Sequence, residues 1–339
     1  MMCLTGTDVE HAARLLRDGG LVAFPTETVY GLGANALSAT AVARVFEAKE
    51  RPRFDPLIVH VHEAAQIERL APGVPDQARV LIERFWPGPL TLVLPKTDLV
   101  PDLVTSALPT VALRSPDHAI ALELLRRAGV PVAAPSANLF GRLSPTEAAH
   151  VAEQLGDRID YILDGGPCRV GVESTVLDVS REPATLLRPG GLPLEEIEAV
   201  IGPVALGDGR EPGESGGRPT PSPGMLPHHY APTTPLLVVA EIAADVQKLA
   251  AAVSPGHAGG APRVGLLSLT PEDPSRFAAV ETLSPTGDLR EAAAGFFAAL
   301  RRLDQQQLEL MIARPFPEEG LGRALNDRLR RAAAAHTEL

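Results

Sequence analysis

The stretch "LVAFPTETVYGLGANALSATAVARVFEAKERPRFDPLIVHV", residues 21–61, passes from an apolar run through a polar loop and a helical pattern to a second apolar run. Residues 56–61 are short and β-branched, which is typical of a buried strand, and residues 21–25 also predict a strand. Residues 39–50 have the apolar spacing of a helix. This alternation of strand, helix and strand indicates an α/β fold.

The same alternation continues on both sides of this stretch. Further strands are predicted in residues 89–95, 110–114, 130–136, 161–166, 174–180 and 184–191. Further helices are predicted in residues 7–20, 75–86, 117–129 and 144–156. Interleaved strands and helices predict a mixed, twisted sheet covered by helices.

Capping residues predict where two of these helices begin and end. Thr7 and Glu10 have the spacing of a capping box, and Gly19 suits the left-handed position after the first helix. Ser144 and Glu147 have the same spacing, so Ser144 is the predicted N-cap of the helix in residues 144–156.

Residues 207–235 have a different composition, in which glycine and proline dominate and no period survives. Such a segment buries too little apolar surface to offset its ordering entropy, which predicts a linker. We therefore predict a catalytic domain in residues 1–206, a linker in 207–235 and a smaller α/β domain in 236–339. The smaller domain has predicted strands in 235–240, 263–269 and 308–316 and predicted helices in 241–253, 288–304 and 320–336.

The charge and the apolar runs exclude several classes of function. A formal net charge of −11 argues against strong direct binding of a nucleic-acid backbone, although a local basic pocket remains compatible with it. No apolar run approaches membrane-spanning length, so we expect no membrane partner. Cys3 and Cys168 could form one disulfide at most, and neither has a partner at metal-ligand spacing. We expect a cytoplasmic protein.

A basic segment follows the predicted helix in residues 39–50. Lys49, Arg51 and Arg53 occupy alternate positions, and such side chains bind polyphosphate or carboxylate groups. Basic residues at a helix C-terminus also interact favourably with the helix dipole, which is the structural alternative. Pro52 and Pro56 stiffen the segment beyond what capping needs, which favours an anion site.

Other candidate residues lie in or after predicted strands. His60 lies within a strand, where a single histidine is more often structural than catalytic. Arg114, Ser136 and Asn138 lie where strands pass into polar loops, the usual ligand position in open α/β sheets. Ser136 and Asn138 are also common in capped turns. The sequence contains no Walker phosphate loop and no dinucleotide fingerprint.

Ordered motifs along the chain resemble the YrdC-like threonylcarbamoyl-AMP synthases. The motifs are "FPTETVYGLG", "KERPRFDPLIVHV", "FWPGPLTLVL", "VALRSP", "APSAN" followed by "GRLSPT", and "STVLD" followed by "LRPGG". The segments "SPGMLPHHYAP" and "GLGRALNDRLRRAA" resemble the long, two-domain form. The resemblance implies a YrdC-like twisted mixed sheet joined by the linker to a smaller Rossmann-like α/β domain.

The resemblance also implies an activity and a set of binding residues. Members of the family are nucleotidyltransferases that convert L-threonine, bicarbonate and ATP, with Mg²⁺, into threonylcarbamoyl-AMP and pyrophosphate. The product then passes to a complex that modifies tRNA with threonylcarbamoyladenosine. By position, the resemblance assigns these residues to L-threonine: Thr28, His60, Arg114, Ala134 and Ser174. It assigns these residues to ATP: Lys49, Arg51, Asp55, Thr110, Ser136, Asn138, Ser144, Arg188 and Tyr230.

Asp55 departs from the family pattern, which usually has Asn there. A carboxylate beside phosphates would repel them unless it bound a metal or were neutral. Apart from this uncertain position, we predict no metal ligand among the side chains.

The expected mechanism places a carbamate oxygen against the α-phosphorus of ATP. Lys49 and Arg51, the predicted catalytic residues, neutralise the triphosphate, and Arg114 binds the threonine carboxylate as a fork. The loop in residues 25–33 is predicted to wall the threonine pocket, its glycines allowing a small ligand to approach. The linker, with Tyr230, is predicted to close over the nucleotide as a lid.

Two other functions stay open on the sequence alone. One is a carbamoyltransferase that uses carbamoyl phosphate and ATP. The other is a non-catalytic RNA-binding module, which the acidic total charge disfavours.

Overall fold

A computed structural model describes residues 4–207, 229–242 and 262–335 of the chain. Contacts divide it into two compact units. Unit 1 comprises Met1–Phe140 and Ser144–Leu226, and unit 2 comprises Gly141–Leu143 and Pro227–Leu339. Most of the predicted linker, residues 208–228, lies outside the described residues. The domain boundaries predicted from composition therefore stay predictions.

Unit 1 is a mixed sheet with helices. Its strands are β1 (Leu4–Gly6), β2 (Val22–Phe24), β3 (Gly31–Asn35), β4 (Ile58–His60), β5 (Leu90–Pro95), β6 (Thr110–Arg114), β7 (Val132–Ala133), β8 (Tyr161–Leu163), β9 (Thr175–Asp178), β10 (Thr185–Arg188) and β11 (Ala205–Leu206). Its helices are α1 (Val9–Arg17), α2 (Ala39–Lys49), α3 (Ala64–Leu70), α4 (Asp76–Phe85), α5 (Asp102–Thr105), α6 (Ala119–Ala128), α7 (Ala148–Leu155) and α8 (Leu194–Ile201).

The strands are hydrogen-bonded in the order β1-β8-β2-β3-β7-β4-β6-β5-β9-β10-β11. The pair β4 and β6 is parallel, as is the pair β5 and β9, whereas β5 and β6 are antiparallel. The mixed sheet predicted from the alternation of strands and helices is therefore confirmed. All of the strands predicted for residues 1–206 are present, and β1, β3 and β11 are additional.

Two predicted helix starts are wrong. The N-cap of α1 is Asp8, whose carboxylate accepts a hydrogen bond from the backbone N–H of His11. Helix α7 begins at Ala148 after Glu147, because the hydroxyl of Ser144 donates to the carboxylate of Glu173 instead of capping the helix. Gly19 has the predicted left-handed conformation, with φ of 84°.

The predicted loop in residues 25–33 is also wrong in its second half, because Gly31–Asn35 forms strand β3. The two glycines of this strand leave room for the ring of Phe24 rather than for a ligand. A Cβ atom at Gly33 would lie 2.9 Å from Cε1 of Phe24, and one at Gly31 would lie 3.5 Å from Cζ of the same ring. The true loop spans residues 25–30, and its residues from Thr26 to Tyr30 are buried.

Unit 2 contains a smaller parallel sheet. Its strands are β12 (Leu236–Val238), β13 (Val264–Ser268), β14 (Ala279–Thr282) and β15 (Leu310–Ala313), in the order β12-β15-β13-β14. Its described helices are α9 (Leu289–Asp304), α10 (Leu321–Ala334) and a 3-10 turn at Pro274–Arg276. The parallel sheet and helices confirm the predicted smaller α/β fold. Residues 243–253 of the predicted helix at 241–253 lie outside the described residues.

Within the described parts of both units, no helix combines the length and the apolar composition that crossing a membrane requires.

Candidate active site

Two of the predicted site residues, His60 and Arg114, lie on one face of the central strands. His60 and Arg114 are opposite each other at the ends of the parallel strands β4 and β6. Because side chains alternate along a strand, both lie on the opposite face from Val59 and Leu113, which belong to the main core. We call this second face the site face. Its apolar residues are Ile58, Val93, Ala112, Val176 and Leu187.

Most of the predicted residues of unit 1 form two groups, one beside the segment that leads into β4 and one around the C-terminal ends of β4 and β6. The Lys49 end contains Lys49, Arg51, Asp55, Ser136 and Asn138. The Arg114 end contains Thr28, His60, Arg114 and Ser174.

Arg114 is buried and forms an ion pair with Glu27, 2.7 Å from Nη2 to Oε1. Its Nε also donates to the carbonyl oxygen of Gly88 at 3.3 Å. Glu27 belongs to the loop between β2 and β3 and is fully buried. This carboxylate was not predicted from the sequence. Its signal in the sequence is an acidic residue inside the motif "PTETVYG", from which only Thr28 was predicted to bind a ligand.

His60 is buried beside Arg114, and both conditions disfavour its charged form. Burial first, and then the positive charge of Arg114, lower the pKa of His60 to about 3. The imidazole is therefore neutral at physiological pH. Its ring lies edge-on to Phe24, with ring centroids 5.9 Å apart. Within the described residues its Nδ1 has no hydrogen-bond partner, so a neutral imidazole with spare hydrogen-bonding capacity faces the site.

Thr28 is held by the hydroxyl residues of its own loop. The hydroxyl oxygens of Thr26 and Thr28 are 2.8 Å apart, and Thr26 also donates to the carbonyl oxygen of Val29 at 2.7 Å. The carbonyl oxygen of Thr28 accepts from the backbone N–H of Gly171 at 3.1 Å. The loop is therefore fixed by internal and tertiary hydrogen bonds.

Ser174 precedes β9 and links two further residues. Its hydroxyl lies 2.8 Å from that of Thr91, and Nη2 of Arg188 donates to its carbonyl oxygen at 2.9 Å. The turn after Arg188 packs directly on this segment, since a Cβ atom at Gly190 would lie 2.3 Å from the carbonyl carbon of Ser174. Arg188, assigned by the resemblance to ATP, therefore lies beside a residue assigned to threonine. Thr91 was not predicted.

Lys49 is the last residue of α2 and is almost completely buried. Its Nζ donates to the carbonyl oxygen of Ser136 at 2.5 Å and to that of Asn138. Burial lowers the pKa of Lys49 well below its usual range, the charge of Arg51 lowers it further, and Asp55 partly opposes both. The amine is therefore positioned by the loop that follows β7 and gains little from local charges.

Arg51 and Asp55 form a buried ion pair, 2.9 Å from Nη2 to Oδ2. The guanidinium also donates to the carbonyl oxygens of Asp55 at 3.2 Å and of Pro56 at 2.9 Å, and it lies 6.0 Å from the ring centre of Phe140. The acidic residue in place of the usual Asn thus has a cationic partner within its own segment. Its assignment to ATP stays a prediction.

The remaining assigned residues of unit 1 lie in three places. Ser144 donates to Oε1 of Glu173 at 2.5 Å, next to Ser174 in sequence. The backbone N–H of Ala134 donates to the carbonyl oxygen of Ile58 at 2.8 Å. Thr110 is the first residue of β6, at the opposite end of that strand from Arg114. Glu173 is a further buried carboxylate that the sequence did not single out.

Tyr230 lies in unit 2, with φ of 65°. Its ring is buried, with its centre 5.6 Å from that of Phe297 and 5.1 Å from the guanidinium carbon of Arg328. The ring of His229 is 4.1 Å away. Its predicted contact with the nucleotide stays a prediction.

Among the residues that the structure describes, no three or more His, Cys, Asp or Glu side chains are grouped so that they could hold a metal ion.

Comparisons with known proteins relate this site to a family. Residues 14–190 match the family described as telomere recombination, which groups Sua5, YciO and YrdC, and residues 192–334 match the threonylcarbamoyl-AMP synthase C-terminal domain. A threonylcarbamoyl-AMP synthase of Bacillus subtilis is 47% identical over 96% of this chain and 92% of its own. The chain belongs to the threonylcarbamoyl-AMP synthase family. A threonylcarbamoyl-AMP synthase of Pyrococcus abyssi is 46% identical over 96% of this chain and 94% of its own.

A solved two-domain structure also matches this chain over nearly its whole length. The crystal structure of Pyrococcus abyssi Sua5 complexed with L-threonine is 43% identical, with a TM-score of 0.87, over 99% of this chain and 98% of that one. The family and the fold predicted from the ordered motifs are therefore confirmed. The individual threonine and ATP contacts stay predictions.

Proposed function

We propose that the protein is an L-threonylcarbamoyladenylate synthase, which forms threonylcarbamoyl-AMP and pyrophosphate from L-threonine, bicarbonate and ATP. The observation that carries this proposal is the set of buried basic side chains, with Lys49 and Arg51 beside the segment that leads into β4 and Arg114 at the end of β6. Membership of the family and the similarity to a synthase crystallised with L-threonine support it.

The reaction brings three anionic groups together, and the buried cations suit that demand. Threonine's amine and bicarbonate give a carbamate and water, and a carbamate oxygen attacks the α-phosphorus of ATP as pyrophosphate leaves. Charge stabilisation in a site shielded from water is usually the largest catalytic term in such transfers. Lys49 and Arg51 would stabilise the triphosphate and the departing pyrophosphate. No covalent intermediate with the enzyme is required.

The Arg114 end would hold threonine. An arginine fork matches a carboxylate, so Arg114 would bind the carboxylate of the amino acid. Thr28, Ser174 and the neutral His60 would offer hydrogen-bonding groups for its hydroxyl and amine, with the backbone of Ala134 nearby. The amino acid and the nucleotide would then be bound by the two groups of residues, with their reacting atoms meeting between them.

ATP would be bound by residues from both groups and from further strand ends. Thr110, Ser136, Asn138, Ser144 and Arg188 would contact the nucleotide or its phosphates, with Tyr230 closing over it. Mg²⁺ commonly binds through substrate phosphates and a few protein oxygens. The carboxylate of Asp55 is paired with Arg51, so the described side chains do not form a metal centre, and Mg²⁺ would arrive with ATP to neutralise phosphate charge.

The product would be consumed by another enzyme. Threonylcarbamoyl-AMP is an activated acyl phosphate, so we propose that it passes to a tRNA threonylcarbamoyl-transfer complex in the cytoplasm.

The test is a pyrophosphate-release assay on the full chain, with mass spectrometry of the adenylate. Release should require L-threonine, bicarbonate and ATP together, and the product should have the mass of threonylcarbamoyl-AMP. Release that depends on carbamoyl phosphate instead of threonine and bicarbonate would establish the carbamoyltransferase and overturn the proposal. RNA binding that weakens steeply with salt, without ATP cleavage, would support the binding module.

A further inference from the structure

Glu27 is a fully buried carboxylate with an unusual hydrogen-bond environment. Its one charged partner among the described residues is Arg114, at 2.7 Å from Oε1. Within that part of the chain, neither Oε1 nor Oε2 accepts a hydrogen bond of normal geometry. An ionised carboxylate has about four acceptor sites and is normally saturated with donors when it is buried.

Such a pair contributes little to stability in its present form. Removing two charges from water costs several kcal/mol per ion, which their attraction repays only when additional hydrogen bonds satisfy the remaining lone pairs. In the Arg51–Asp55 pair the guanidinium also donates to two carbonyl oxygens. The oxygens of Glu27 accept no hydrogen bond from the described residues, so they have spare capacity for a donor that arrives with the substrate.

The position of Glu27 identifies which donor fits. It precedes Thr28, and its partner Arg114 lies on the site face next to His60. An α-amino acid carries a carboxylate and an ammonium group on one carbon, so their protein partners must be neighbours of opposite charge. Nη2 of Arg114 and Oε1 of Glu27 meet this requirement.

We propose that Glu27 binds the α-ammonium group of the amino acid substrate while Arg114 binds its carboxylate. The buried ion pair and the zwitterion would then lie head to tail, with each charge facing its opposite. This inference rests on the proposed function and adds a substrate-binding residue to it. It also defines the substrate class, because a hydroxy acid without the amine would leave Glu27 without its donor.

Ligand binding without ATP tests this assignment. L-threonine and (R)-3-hydroxybutanoate differ only in the amine, and calorimetric titration of the full-length protein gives the ratio of their affinities. In the wild type we expect L-threonine to bind about 10- to 100-fold more tightly, the range for hydrogen bonds to a charged group. In Glu27→Gln, which keeps the shape and removes the charge, the ratio should fall to within about threefold.

Asp178→Asn is the matched control. Asp178 is also buried and paired with an arginine, 2.8 Å from Oδ2 to Nη2 of Arg181, but it ends strand β9, whereas Ser174 precedes its start. This variant should keep the wild-type ratio. Because the ratio compares two ligands on one protein, a general loss of folded material does not change it.

Several outcomes would overturn the assignment. If Glu27→Gln weakens both ligands by the same factor, Glu27 only positions Arg114. If the wild type binds both ligands equally, no group in the site recognises the amine, and this result needs no variant. Failure of the proposed function is distinguishable, because the wild type would then bind neither ligand and release no threonine-dependent pyrophosphate.

Discussion

The Lys49 end and the Arg114 end each hold a buried arginine paired with a carboxylate, at similar distances of 2.9 and 2.7 Å. Arg51 and Asp55 lie four residues apart on one segment, and the guanidinium also binds backbone carbonyls there. Arg114 and Glu27 come from a strand and from a distant loop. The ion pair at the Lys49 end is therefore organised by local sequence, whereas the ion pair at the Arg114 end exists only once the sheet has formed.

This difference separates two uses of buried charge. The guanidinium at the Lys49 end is held by local acceptors, which favours a fixed cation for phosphate. The carboxylate at the Arg114 end has unused acceptor capacity, which favours binding of a ligand that brings donors. The following four experiments compare the ends, in order of decreasing effect.

The largest effect should come from Arg51→Ala. Threonine-dependent pyrophosphate release should fall on the order of 10³-fold, because the variant removes a buried cation from the developing charge and leaves Asp55 without it. Arg53→Ala is the control, since Arg53 is exposed in the same basic segment. A near-normal rate for Arg51→Ala would show that the Lys49 end does not bind the triphosphate as proposed.

At the other end, Arg114→Met should destabilise unit 1 by about 3 kcal/mol, because it leaves the Glu27 charge buried and unpaired. The double variant Glu27→Leu with Arg114→Met should recover most of this loss and remain inactive. Urea unfolding followed by the fluorescence of Trp86, the single tryptophan of the chain, reports on this unit. Equal stability of the single and double variants would mean that the two charges do not interact.

His60 should make unit 1 sensitive to acid. The pKa of its imidazole is lowered to about 3 in the folded protein, whereas the usual pKa of histidine is near 6.5. Between pH 3 and pH 6.5 the unfolded chain therefore binds a proton at His60 that the folded protein does not bind. Stability should therefore fall as the pH falls, by about 2 kcal/mol between pH 6.5 and 4.5.

Unfolding of the wild type and of His60→Gln at pH 6.5 and 4.5 measures this contribution. The variant should lose less stability than the wild type on acidification. The same loss in both proteins would contradict a buried, neutral imidazole beside Arg114.

The smallest effect should be a proton linkage at Lys49. Its pKa is lowered by burial and by Arg51, and a bound triphosphate should raise it again. ATP binding should then take up protons where free Lys49 is neutral, and affinity should decline with rising pH by at most about tenfold per pH unit.

Calorimetry in two buffers of different ionisation enthalpy measures this proton uptake. Lys49→Met should abolish the uptake, and Lys96→Met serves as the control because Lys96 is paired with the exposed Asp102. Unchanged uptake in Lys49→Met would assign the proton to another group.

Much of the fold was predictable because its signals are local. Apolar runs gave the strands of the central sheet, and Gly19 gave the end of α1. The N-caps were wrong where a tertiary partner competes, since Ser144 binds Glu173 rather than the helix that follows. Strand β3 was missed because its glycines resemble a loop until the ring of Phe24 is placed against them.

In the site, too, features set by local sequence were predictable and features set by distant partners were not. Lys49, Arg51 and Asp55 are neighbours in sequence, and their grouping was visible there. Glu27, Thr91 and Glu173 were missed, because each acquires its partner from a distant strand or loop. The family motifs pointed to Arg114 and Ser174 without revealing which protein groups bind them.

The absence of a side chain at Gly33 affects the positions of Phe24 and His60, which lie outside its own strand. Phe24 fills the room above this glycine and meets His60 with the edge of the same ring. A methyl group at position 33 would push the ring, and the ring would displace an imidazole that lies two strands away. The alignment of the histidine that we assign to L-threonine would thus depend on the absence of a side chain at position 33.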